Sequence, residues 1–227
     1  MRASWLLTST VVFTLGGIAG GESVRPLGLL VLALVPPPSG TYLVLGGAGF
    51  VSGATVGLGQ AMVLRRSLGW RRQCYWVLAT GVCWFGAALA VSWLGDQMQL
   101  ADRTAGDFAP IGPGERLLAD SVRAALVGTV VGTGQGLILA AGVRRGQLTL
   151  ILRWMICVAC GWLAGPLVGE LLATALGPLS FAGAGQWGFF TAVVAGRSAA
   201  QGLVVGLATQ WYLEQSDSRR HVASAAE

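Results

Sequence analysis

An all-α integral membrane protein, six transmembrane helices arranged as three tandem parallel helical hairpins, is the fold class the sequence predicts. Three observations predict it: the composition, the placement of arginines between apolar runs, and a phrase that occurs three times. Of 227 residues, 54% are hydrophobic and 11% charged, against about 25% charged in globular domains. An inventory so poor in charge cannot clothe a water-exposed surface. The 35 glycines fit as well, because glycine is more frequent in membrane helices than in soluble ones. The repeated phrase is GATVGLGQ (53–60), GTVVGTGQ (128–135) and GLVVGLATQ (202–210), starting 75 and then 74 residues apart.

The apolar segments run at about 4–21, 41–64, 74–95, 121–143, 150–173 and 188–213. Each approaches or exceeds the roughly 20 residues that span hydrocarbon. The first opens MRASWLLTSTVVFTLGGIAGGES, which has the basic start, apolar centre and small residues of a secretory signal. Trp5 and Phe13, however, share their spacing with Trp76 and Trp84 and with Trp154 and Trp162, so the segment is expected to be a retained span. LGLLVLALV (27–35) follows and is closed by three prolines. It is too short to span, and the prolines bar its continuation; an interfacial or re-entrant segment is expected.

The odd spans thus carry paired aromatics, and the even spans carry the glycine phrase. Repeats of about 4–64, 74–143 and 150–213 follow, within a single transmembrane domain 1–227 that ends in a polar tail, 214–227. Two spans per unit preserve orientation, so the repeats are parallel.

All 15 basic residues are arginine. Arg2, Arg65, Arg66, Arg71, Arg72, Arg144, Arg145, Arg153, Arg219 and Arg220 fall on one side of the six spans. Arg25, Arg103, Arg116, Arg123 and Arg197 fall on or near the other, with seven of the ten acids. Arginine excess marks the cytoplasmic side, which puts both termini in the cytoplasm of a multi-pass protein of a bacterial cytoplasmic or photosynthetic membrane. The net charge of +5 is an orientation signal, not a nucleic-acid patch.

On a helix, positions 53, 57 and 60 lie within one narrow face. Gly53 and Gly57, Gly128 and Gly132, and Gly202 and Gly206 are the expected helix-packing glycines, since small residues four apart let backbones approach closely in lipid. Gln60 and Gln135 close the first two copies; Gln210 is displaced by one residue, about 100° away, and Thr209 stands in the seventh place. Gln60, Gln135 and Gln210 form a candidate polar ring about a pseudo-threefold axis. Glu22, Glu170, Arg123 and Arg197 are candidate ion-pairing groups at the outer face, with Glu170 and either arginine the expected pair.

Cys157 and Cys160 form a C-x-x-C, with Cys74 and Cys83 a looser pair. They sit inside apolar helices and do not recur between repeats, which favours packing over redox work. The single His221 lies in the tail, which leaves no histidine for catalysis or axial ligation inside the spans. No P-loop, nucleophile elbow or metal-ligand spacing occurs, so no catalytic residues and no metal are expected.

The stretches GLGQAMVLRRSLGWRRQCYWVLATGVCWFG (57–86) and GTGQGLILAAGVRRGQLTLILRWMICVACGWLAG (132–165) resemble a diffuse group of bacterial multi-pass membrane proteins of cyanobacterial and Chloroflexota type. These carry repeated GxxxGxxQ…LRR and W…GW hairpins. The resemblance implies the architecture and, through its phototrophic lineages, an accessory place in a photosynthetic membrane complex, with lipid, carotenoid or chlorophyll as candidate bound molecules. A structural or accessory subunit, packed against a membrane-protein partner or its own copies, is the leading reading. A small-solute transporter or channel with a pseudo-threefold path comes second, and a thiol–quinone redox protein third.

Overall fold

The computed structural model describes residues 2–65, 69–105, 113–141, 146–180 and 192–210. They form six helices: α1 Arg2–Val31, α2 Ser39–Leu64, α3 Trp70–Ala105, α4 Pro113–Ala140, α5 Gln147–Ser180 and α6 Ala192–Gln210. Apolar runs of this length have no water to satisfy their backbone, and the helix closes every N–H onto its own chain. Five of the helices, α2 to α6, are long and apolar enough to cross a membrane. The described part of α1 is not among them: Thr8, Ser9, Thr10 and Thr14 dilute its apolar run and Glu22 and Arg25 follow.

The segment 27–35 is continuous with the first helix. Its first five residues continue α1, which runs through Pro26 to Val31. Proline inside a helix removes one backbone donor, and that loss is tolerated where neighbouring structure compensates. The chain leaves the helix in a turn carried by Leu34 N–H to Val31 O (3.0 Å) and Val35 N–H to Val31 O (2.8 Å). Pro36, Pro37 and Pro38 then have no N–H to extend it. α2 starts at once, its first turn bonded from Gly40 N–H to Pro36 O (3.1 Å). Gly40 is required there, because a Cβ would land on the Val35 carbonyl.

Helices neighbouring in sequence pack together, and α6 returns to α1. Gly161 and Gly165 of α5 lie against Val205 and Gln201 of α6, and Gly202 of α6 lies against Ser9, Thr10 and Phe13 of α1. The six helices thus close into a ring. All six contribute to one core: Trp5, Val12 and Phe13 from α1, Val56 and Leu64 from α2, Trp76 from α3, Val131 from α4, Trp154, Val158 and Trp162 from α5, and Val205 from α6. The outer surface is the reverse, with Leu7, Leu58, Met62, Leu78, Leu137, Leu171 and Leu207 all more than half exposed. Apolar residues outside as well as inside suit a lipid surround.

Candidate functional site

The six glycines of the repeated phrase lie at close helix contacts. A methyl on Gly53 would fall 2.6 Å from Trp84 Cγ, and one on Gly57 would fall 3.1 Å from Val77 Cα. On α4 the same test puts Gly128 2.7 Å from Ala159 Cα and Gly132 2.8 Å from Met155 Cα, both backbone atoms of α5. On α6, Gly202 meets Ser9 O at 2.5 Å and Gly206 meets Ser9 Cβ at 3.1 Å. Each phrase therefore packs on the helix that follows it, α3, α5 and, around the ring, α1.

Those contacts bring a tryptophan onto the polar end of each phrase. Trp76 Nε1 donates to Gln60 Oε1 (3.3 Å) and Trp154 Nε1 to Gln135 Oε1 (3.2 Å). Trp5 Nε1 donates to Thr209 Oγ1 (3.0 Å). The three indoles are buried, at 2%, 0% and 0% exposure for Trp5, Trp76 and Trp154. Gln135 also reaches sideways: its Nε2 donates to Gln60 Oε1 (3.0 Å) and to Thr80 Oγ1 (3.1 Å). Thr80 in turn donates to the Trp76 carbonyl (2.7 Å). Gln60 and Gln135, expected around an axis, are thus bonded to each other. At the third position Thr209 meets the tryptophan, and Gln210 lies half-buried one residue further along.

Next to this layer is a second, wholly aromatic one. The rings of Trp84 and Trp162 are 4.7 Å apart, and Phe13 stands 6.2 Å from each. Trp76 and Trp154 meet edge to face at 5.9 Å. Such tilted and edge-on contacts are the favoured aromatic geometry. The indole N–H groups of Trp84 and Trp162 and the Ser9 hydroxyl are buried without a hydrogen-bond partner among the described residues.

The ionisable candidates lie at the opposite end. Arg123 Nη1 pairs with Asp120 Oδ1 at 3.3 Å, and Arg197 Nη1 pairs with Asp120 Oδ2 at 3.4 Å. One aspartate on α4 therefore ties its own helix to α6. Glu170, expected as the arginines' partner, is half-buried on α5 outside both pairs, and Glu22 is exposed. The Asp120 side chain was within reach by spacing, three residues before Arg123, but its bridge to Arg197 is a tertiary fact. Nearby, Tyr42 Oη donates to Asp96 Oδ2 at 2.5 Å. The pair lines an open cavity of about 390 Å³ with Pro37, Pro38, Leu45, Val91 and Arg123.

The four cysteines are all free, with Cys74 and Cys160 exposed and Cys83 and Cys157 half-buried. Among the described residues no three His, Cys, Asp or Glu side chains gather as a metal-binding set. His221 lies outside the described residues.

Helix length, apolar surface and a core shared by every helix define a multi-pass helical membrane protein. Comparison with family models, with curated proteins and with solved structures returns no match.

Proposed function

We propose that this protein is a non-enzymatic structural or accessory subunit of a bacterial membrane complex, in the photosynthetic membrane where its lineage has one. The proposed arrangement is three tandem parallel hairpins around a pseudo-threefold axis, with the glycine phrases joining each hairpin to the next. One observation carries the reading: the amide and hydroxyl groups of the central layer formed by Gln60, Gln135, Thr80 and Thr209 bond to core partners, and an aromatic layer of Phe13, Trp84 and Trp162 packs beside them. A solute path along the axis would have to displace both layers. The interior works as a fastening, and the apolar exterior is what remains for lipid and for partners.

Gentle solubilisation of the native membrane, followed by mass spectrometry of whatever co-migrates with the chain, tests this. A partner protein at fixed stoichiometry is the expected result. A chain that emerges alone and mediates solute flux in proteoliposomes would overturn it in favour of transport.

A further inference from the structure

The corner between α2 and α3 carries charge that no carboxylate among the described residues neutralises. Arg65 directly follows α2, Arg71 and Arg72 lie in the first turn of α3, and all three are exposed. No aspartate or glutamate occurs between Glu22 and Asp96. Among the described residues no carboxylate pairs with any of the three: the ion pairs there belong to Arg123 and Arg197. The corner is also drawn together, because Gln73 Nε2 donates to the Arg65 carbonyl across the turn (3.5 Å).

What lies along the helices from these arginines is as informative as the charge. Arg71, Tyr75, Leu78 and Val82 follow at intervals of four, three and four, which places them on one stripe of α3. Their apolar members are exposed, at 62% for Tyr75, 55% for Leu78 and 53% for Val82. On α2 the sequence Leu58, Met62, Arg65 repeats the pattern, with Leu58 at 54% and Met62 at 59% exposure. Trp70, at 76% exposure, stands beside the arginines. Indoles settle at headgroup depth, and arginine forks match phosphate oxygens.

We propose that the α2–α3 corner binds an anionic phospholipid, its phosphate held by Arg65, Arg71 and Arg72 and its acyl chains laid along the stripes Leu58–Met62 and Tyr75–Leu78–Val82. A soluble anion would satisfy the arginines and leave the stripes unused. An acidic protein segment would do the same. A molecule that is ionic at one end and hydrocarbon at the other uses both. This is independent of the accessory-subunit reading, which stands or falls on co-purification.

The test uses the full chain in mixed phosphatidylcholine–phosphatidylglycerol nanodiscs, with spin-labelled lipids reporting the relative association of the two headgroups. The wild type is expected to prefer phosphatidylglycerol by about tenfold at low salt. R65Q/R71Q/R72Q is expected to bring that preference close to unity, whereas R71K/R72K, which keeps the charge, retains most of it. Arg153→Gln, an exposed arginine on α5, is expected to leave it unchanged. All three arginines are exposed, so circular dichroism should report intact helices in every variant. Equal preference in wild type and triple variant would overturn the proposal. So would loss of preference in Arg153→Gln, displacement of the lipid by soluble glycerol phosphate, or loss of a bound protein with lipid selectivity unchanged.

Discussion

The α2–α3 seam and the α6–α1 seam set a tryptophan against the end of the same glycine phrase, but close it with different chemistry. At α2–α3 the acceptor is the Gln60 amide, which also takes a bond from Gln135. At α6–α1 the acceptor is the Thr209 hydroxyl, whose own proton goes back to the Val205 carbonyl of its helix (2.6 Å). An amide offers two donors and an acceptor with two lone pairs, so it can serve its tryptophan and still reach a neighbour. A hydroxyl that has given its one proton can only accept, and Thr209 accepts from Trp5. Two of the three seams are consequently wired together through Gln60, Gln135 and Thr80, whereas the Thr209 hydroxyl turns back to its own helix. Three buried indole N–H groups find an acceptor, an amide oxygen at Trp76 and Trp154 and a hydroxyl at Trp5.

The sharpest way to break this symmetry is steric. Gly202→Val would drive a side chain into the Ser9 carbonyl and Phe13, and is expected to cost about 3 kcal/mol. Reversible SDS titration followed by circular dichroism would measure it. A loss no larger than that of a lipid-facing Leu207→Val control would contradict the close packing of α6 on α1.

Removing Gln135 should come next. Gln135→Leu deletes the bonds to Trp154, Gln60 and Thr80, and about 2 kcal/mol of stability should go with them in the same titration. Thr209→Val removes a single acceptor from Trp5 at nearly constant volume, for about 1 kcal/mol. The comparison is sharpened by combining variants. Gln60→Leu with Gln135→Leu should be clearly non-additive, since the two share a bond. Gln135→Leu with Thr209→Val should add within about 0.5 kcal/mol. Additivity in the first pair, or coupling in the second, would mean the seams are wired differently.

The smallest effect is expected at the other end. Asp120 holds two arginines, but its side chain is 39% exposed and theirs 36%. Exposed ion pairs of this kind contribute little, so Asp120→Asn should change stability by less than about 1 kcal/mol, and added salt should shrink even that.

Much of this interior was legible in the sequence because helical geometry is arithmetic. The spacing of Gly53, Gly57 and Gln60 put them on one face, and the one-residue shift of Gln210 already left Thr209 in the seventh place. What spacing within a helix cannot say is which neighbour that face meets. The helices are apolar on nearly all sides, so no amphipathic stripe marks the partner, and the pairing of each phrase with the following helix emerged only in three dimensions. Asp120 escaped notice for a related reason: its bond to Arg197 spans 77 residues of chain, beyond any local pattern. The continuity of α1 through Pro26 to Val31 is not marked in the sequence, because one lost backbone bond is a weaker stop than three consecutive prolines.

The contact between Trp5 and Thr209 joins residues 204 positions apart in the chain. During synthesis at roughly 5–20 residues per second, α1 must wait on the order of 10–40 s for the helix that completes its seam. Throughout that interval the Trp5 indole and the small-residue groove beside Ser9 are open in the bilayer, available to insertion factors or to another nascent chain. A break in synthesis before α6 would leave the ring unclosed and the α6-facing side of α1 uncovered, a defect that a membrane protease could recognise without inspecting any other part of the molecule.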